Sequence, residues 1–221
     1  MNKIIISLLL LLASISFSQV NTVYLDGTDC NCDSIHKKFY YGGKLSSETP
    51  YVNGKENGIE KGYDEDGFIW SEIPYVNGKK NGIVKGYYEE YDGSLEYEIP
   101  YVNGKINGIG KGYYDDGSLQ YEAHYVNGKE NGIYKEYYDD GSLKLEAPCV
   151  NDKVNGIVKR YYEDGTLEYE TPYVNDKRNG VRKEYDTQGN LISTAKYKND
   201  VLDGYQHCSD GRMGNESLNC R

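Results

Sequence analysis

The chain is 221 residues long and carries 25 Lys and Arg against 35 Asp and Glu, a formal charge of −10. That balance argues against nucleic-acid binding, which needs clustered cations to displace phosphate counterions, and against adhesion to anionic lipid by charge alone. Tyr (25) and Gly (26) approach a quarter of the residues while Phe, Trp and Met number 3, 1 and 2, which excludes a conventional aliphatic core in favour of many shallowly buried side chains.

In chain order, Met1-Asn2-Lys3 is a short cationic lead, and Ile4 to Ile15 is an apolar run broken by Ser7 and Ser14. Ser16 and Ser18 then place small residues at −3 and −1 of a cleavage point before Gln19, so residues 1–18 read as a secretory signal peptide. The run is shorter than the ~20 residues needed to span a bilayer, so no stable membrane insertion is expected after cleavage. Losing residues 1–18 removes one cation, Lys3, leaving 24 against 35 and a mature charge of −11. The expected location is secreted or periplasmic.

Residues 19–34 form an N-terminal cap segment, and an array follows over residues 35–204. Tyr-Val-Asn-Gly-Lys begins at Tyr51, Tyr75, Tyr101 and Tyr125 and recurs in altered form at Cys149, Tyr173 and Tyr197, with steps of 24, 26, 24, 24, 24 and 24. The step of 26 contains a two-residue expansion at Glu89-Glu90-Tyr91-Asp92-Gly93. A fixed period implies a repeat architecture in which each unit packs only on its neighbours. Units start at Ile35, Ile59, Ile83, Ile109, Ile133, Ile157 and Val181, seven in all, with a decayed eighth near Gly204.

Within a unit, Ile83-x-Lys85-x-Tyr87 alternates as one face of a first strand, Asp92-Gly93 turns, Leu95-x-Tyr97-x-Ile99-x-Tyr101 alternates as one face of a second, and Asn103-Gly104 turns back. Asn-Gly and Asp-Gly supply the positive φ that tight hairpins require. The expected fold is therefore all-β: an elongated array of about seven 24-residue antiparallel hairpins in a single-layer curved or coiled sheet, on the order of 65–70 Å long at ~4.8 Å per strand.

Apolar and aromatic columns are expected to form the packed side. The Glu column (Glu48, Glu72, Glu98, Glu122, Glu146, Glu170) is expected on the wet side, where like charges are unfavourable unless cations intervene. The Lys column of the first strands, Lys61 to Lys183, recurs once per unit, and the sequence leaves open whether it meets the Glu column. Pro50, Pro74, Pro100, Pro148 and Pro172 fall late in the second strand and predict a break or bulge there.

These residues carry a resemblance. Tyr101 to Leu119, Tyr-x-Asn-Gly-Lys-x-Asn-Gly-x-x-Lys-x-Tyr-Tyr-x-Asp-Gly-x-Leu, resembles the MORN-repeat variant, a motif shared with YwqK-type antitoxin-like proteins, and the likeness covers about residues 35–204. It implies stacked hairpins in an elongated sheet, a binding or scaffolding role, and no catalysis.

The search for chemistry adds little. His36, His124 and His207 have no paired spacing for a metal, and Asp-Asp-Gly at 115–117 and 139–141 reads as hairpin turn before calcium loop. No phosphate loop or activated nucleophile stands out, so neither enzyme nor cofactor is expected. Cys208 and Cys220 are expected to staple a C-terminal cap or tail over residues 205–221, Cys149 to be a buried thiol, and the pairing of Cys30 and Cys32 is open.

The leading functional expectation is a protein- or peptide-binding scaffold, with Tyr88, Tyr114, Tyr138 and Tyr162 and the single Trp70 as candidate contacts. An envelope-glycan-binding module, in which aromatic rows stack on sugars, is the alternative. By the resemblance, so is an antitoxin or immunity protein.

Overall fold

The computed structural model describes residues 33–88, 93–215 and 220. The signal-peptide reading of residues 1–18, nearly all of the cap segment with Cys30 and Cys32, and the expansion at Glu89–Asp92 lie outside the described residues.

Among the described residues the chain forms one antiparallel sheet of 23 strands and no helix. Each repeat is built from three pieces. In the unit starting at Gly82, the six-residue strand Gly82–Tyr87 runs into the eight-residue strand Leu95–Val102, followed across an Asn-Gly turn by the two-residue strand Lys105–Ile106. The eight-residue strands recur as Leu45–Val52, Ile69–Val76, Leu95–Val102, Leu119–Val126, Leu143–Val150, Leu167–Val174 and Leu191–Lys198. The sheet stays open: Ser34–Phe39 pairs only with Leu45–Val52, and Met213–Gly214 only with Gln206–Cys208.

The two turn chemistries make different turns. Asn103 and Gly104 have φ of 51° and 83°, the two positive angles of a type I′ hairpin whose twist matches its strands. At the other end, Gly117 N–H donates to the Tyr114 carbonyl at 2.9 Å and Tyr114 N–H to the Ser118 carbonyl at 2.8 Å, a type I turn closed by a left-handed glycine. The Asp116 carboxylate accepts the Ser118 N–H at 2.8 Å, so this acid serves its own turn. In the last three units Asp152, Asp176 and Asp200 occupy the second positive-φ position that Gly holds earlier, at φ of 65°, 67° and 71°. Their Oδ1 atoms accept the main-chain N–H of Glu130, Val154 and Arg178 in the preceding unit at 2.7–2.8 Å. A hydrogen bond between units thus offsets the backbone strain of a left-handed Asp.

Two expectations are corrected. The eight-residue strand does not break at proline: Pro100 lies inside Leu95–Val102, opposite Ile83, and its carbonyl accepts the Asn107 N–H at 2.9 Å. The interruption falls on the neighbouring chain, between Lys105–Ile106 and Gly108–Tyr113, where the absent proline N–H would have needed a partner. Gly108 follows at φ 123°, and a Cβ there would lie 3.0 Å from Pro100 Cγ.

The second correction concerns parity. A register shift places Tyr87 opposite Leu95 but Gly86 opposite Tyr97, leaving Glu96 as an extra residue, and the same bulge recurs in every unit. The Leu column is therefore turned to the face of Tyr87 and Glu98, while Glu96 and its counterparts join Tyr97 on the other. Arg160 accordingly meets Glu168 at 2.9 Å on the inner face.

That inner face is the packed one. Ala147 is fully buried and Ala123 and Val158 nearly so, and Leu145, Ala147, Cys149, Val154 and Val158 form a cluster against Tyr134 and Tyr173. A single layer can bury such small residues because large rings fold over them. Three glycines receive those rings directly: Cβ atoms on Gly62, Gly86 and Gly112 would fall 2.7, 2.2 and 2.1 Å from Trp70, Tyr97 and Tyr121 ring carbons. From the fifth unit the glycine is replaced by Glu136, Arg160 and Glu184, and ion pairs such as Glu136 to Lys144 at 3.3 Å occupy that space.

Candidate binding surface

The outer face answers the question of the two charged columns. Register places Lys37, Glu48, Lys61, Glu72, Lys85, Glu98 and Lys111 side by side on consecutive strands. The row continues through Glu122, Lys135, Glu146, Lys159, Glu170 and Lys183. The columns thus merge into one alternating ladder, with contacts such as Lys85 to Glu98 at 3.6 Å and Lys183 to Glu170 at 2.7 Å. A tyrosine hydroxyl completes each carboxylate: Tyr87 donates to Glu72 and Tyr113 to Glu98, both at 3.0 Å, and Tyr161 to Glu146 at 2.9 Å. Burial first, then the neighbouring Glu, pushes the Tyr63, Tyr87, Tyr113, Tyr137 and Tyr161 hydroxyls up to about 12. At the C-terminal end Thr194 and His207 take the next two places, so the charges stop where the array stops.

Beside the ladder runs a stripe that sequence reasoning missed. Ile59, Ile83, Ile109, Ile133, Ile157 and Val181 sit two residues before the ladder lysines, hence on the same face, and each is 42–51% exposed. Val76, Val102, Val126, Val150 and Val174, on the same face and one step nearer the Asn-Gly turns, are 44–48% exposed. The residue opposite each Ile is the strand proline or its substitute, as in Ile83 to Pro100 and Ile109 to His124. An ordered row of exposed aliphatic side chains along an array is the kind of surface that a partner covers, unlike apolar residues scattered singly. The signal was present as parity: whatever places Lys85 outward also places Ile83 outward.

The two long edges of the sheet carry opposite charge, because every unit has the same orientation. The Asn-Gly edge, adjoining the Val row, bears exposed Lys55, Lys79, Lys105, Lys129, Lys153 and Lys177, none in an ion pair among the described residues. The Asp-Gly edge bears exposed Glu65, Asp66, Asp115, Asp116, Asp139, Asp140, Glu163 and Asp164.

The anticipated contact residues are placed as follows. The hydroxyls of Tyr88, Tyr114, Tyr138 and Tyr162 donate to the main-chain carbonyls of Tyr113, Tyr137, Tyr161 and Tyr185 at 2.7–2.9 Å, each clipping one unit to the next. Tyr138 and Tyr162 share a shallow notch with Glu163, Asp164 and Thr187 at the acidic edge. Trp70 lies apart from them on the inner face, over Gly62. Cys208 and Cys220 are joined by a disulfide with Cα atoms 5.3 Å apart. Cys149 is a free thiol, 4% exposed, pushed up to about 12 by burial and then by Glu130. Glu130, itself held up by burial, accepts the Tyr125 hydroxyl at 3.1 Å. Among the described residues no group of His, Cys, Asp and Glu is arranged to hold a metal ion.

Compared with known proteins, residues 33–53, 56–77, 106–127, 130–151, 154–175 and 178–199 match the family model of the MORN repeat variant. The unmatched stretch 78–105 contains the expanded unit, yet its strands Gly82–Tyr87 and Leu95–Val102 pair in the same register as the matched units. No curated protein matches the chain.

Proposed function

The chain belongs to the MORN repeat variant family, and we propose that it is a non-catalytic protein-binding scaffold whose contact surface is the outer aliphatic stripe. Arrays of this family commonly serve as protein- or membrane-binding scaffolds. The observation that carries the reading is the near-constant exposure of the eleven Ile and Val side chains of that stripe, 42–51%, on strands whose opposite face is packed. Water tolerates isolated apolar side chains, but an ordered row along the length of an array is what a partner covers.

Export through the leader at residues 1–18 belongs to the same proposal. Amino-terminal sequencing of the protein recovered outside the cytoplasm tests it and should begin at Gln19. The scaffold reading is tested by affinity capture with mature residues 19–221 from envelope and secreted fractions. A stoichiometric partner should be captured by the native chain and lost with Ile83→Glu/Ile109→Glu. Equal capture by both would remove the stripe from the interface.

A further inference from the structure

The stripe and the edge beside it specify more than a protein. We propose, resting on the scaffold reading above, that the occupant is an extended acidic polypeptide segment in the polyproline II conformation, with an apolar side chain at every third residue. It runs along the Asn-Gly edge over the first four turns.

Charge complementarity places it on that edge. Lys55, Lys79, Lys105 and Lys129 are exposed, one per unit, and in no ion pair among the described residues; they lie opposite the outer Val column, whereas the acids that follow two of them, Glu56 and Glu130, lie opposite Tyr51 and Tyr125 on the inner face. In the next two turns an Asp inside the turn stands next to the lysine, Asp152 beside Lys153 and Asp176 beside Lys177, and offsets it, and in the last turn Val201 replaces the lysine after Asp200. The other long edge carries exposed carboxylates in nearly every turn and repels an acidic chain. The ladder between the edges alternates in sign and adds little net field. On the outer face an acidic ligand therefore meets a regular row of lysines along the first four Asn-Gly turns, and there the Ile and Val rows lie immediately inward.

The shape of the ligand follows from how the edge uses its backbone. An added β-strand needs free N–H and carbonyl groups, but these turns spend theirs on the preceding unit: Gly78 N–H donates to the Glu56 carbonyl at 2.8 Å and Gly104 N–H to the Lys80 carbonyl at 2.8 Å. A polyproline II chain keeps its own backbone solvated and asks for none of these bonds. Its period also fits. Three residues advance about 9.3 Å, whereas one repeat of two strands advances about 9.6 Å, so four units and the peptide drift apart by only about 1 Å. Three residues per turn put one apolar ridge over the Ile and Val rows and an adjacent acidic ridge toward the lysines. An anionic bilayer laid on the same face would also meet the acidic Asp-Gly turns, which disfavours it relative to a linear chain.

Fluorescence anisotropy with the full mature chain tests this, using labelled peptides of five Pro-Glu-Ile triplets, five Pro-Lys-Ile triplets and five Pro-Glu-Ser triplets. The Pro-Glu-Ile peptide should bind at least about tenfold tighter than either control, with affinity falling as salt rises. Lys79→Ser/Lys105→Ser/Lys129→Ser should weaken it about tenfold or more and flatten the salt dependence. Ile83→Ser/Ile109→Ser should reduce it to the Pro-Glu-Ser level. These side chains are exposed, and unchanged circular dichroism establishes that the variants are folded. Equal binding of the Pro-Lys-Ile peptide, or native affinity in both variants, would overturn the assignment. If no triplet peptide binds while Ile83→Glu/Ile109→Glu still abolishes capture of a natural partner, this inference fails and the scaffold reading stands. Binding to phosphatidylglycerol vesicles that the lysine variant loses, without peptide binding, would assign the edge to lipid. A dimer in sedimentation equilibrium that Ile83→Ser/Ile109→Ser dissociates would assign it to a second copy. Either result overturns the polypeptide occupant.

Discussion

Gly86→Ala isolates the contact on which the inner face depends. Gly86 is buried and lies outside the positive-φ region, so its backbone would accept alanine, and in a strand interior that change alone should stabilise by about 0.5–1 kcal/mol. Its Cβ, however, would fall 2.2 Å from Tyr97 Cε1 and 2.3 Å from Cζ, inside any real contact. The ring must leave the strand surface, and overpacking of this kind costs about 1–3 kcal/mol. The net expectation is a loss of about 1–2 kcal/mol, the packing term outweighing the conformational gain. Tyr97→Ala removes the ring and should cost about 2–3 kcal/mol for a partly buried aromatic. The double variant has no clash to relieve, so the two changes should couple by about 1–3 kcal/mol. Gly117→Ala is the control: its Cβ meets nothing within 4 Å, but φ is 84°, so it should cost about 1–2 kcal/mol through backbone strain alone, without coupling to Tyr121→Ala. Urea unfolding followed by circular dichroism and by Trp70 fluorescence gives all of these values. A Gly86→Ala chain as stable as the native one, or a coupling energy of zero, would refute the ring-over-glycine account.

Three further outcomes are expected. The outer tyrosines, pushed up to about 12 in the fold against roughly 10 when unfolded, contribute stability that is complete below pH 10 and lost as pH rises through about 12; tyrosinate absorbance and circular dichroism should change together in that window, and ionisation near pH 10 with the fold intact would contradict it. Glu98→Ala strips the acceptor from Tyr113 and the partner from Lys85 and leaves Lys85 and Lys111 flanking an uncharged position, so it should cost about 1–2 kcal/mol, less at high salt, in a denaturation series. Cys149, buried and with its thiol pushed up to about 12, should resist iodoacetamide in the native protein and react only on unfolding, which mass spectrometry reads directly.

Much of this protein was legible as sequence. The period, the hairpin turns at Asn103-Gly104 and Asp116-Gly117, the all-β class and the Cys208–Cys220 staple follow from residues whose local chemistry admits few alternatives: positive φ needs Asn, Asp or Gly, and fixed spacing needs a repeated unit. What tertiary structure decided is which face each column occupies. Strand parity holds only while register holds, and the bulge at Glu96 turns Leu95 away from Tyr97 in a way that simple alternation does not reveal. The same holds for partners across the sheet. Lys85 and Glu98 are thirteen positions apart, and nothing local to either shows that one sits opposite the other, or that Lys111 takes the strand position on the far side of Glu98. Tyr88 and Tyr114, conspicuous in the sequence as contacts, spend their hydroxyls on the next unit's backbone, whereas Ile83 and Val102, unremarked as ordinary strand formers, are left in water. Local propensity fixes that these residues extend; only the register between units fixes which of their side chains the sheet covers and which it leaves for a partner.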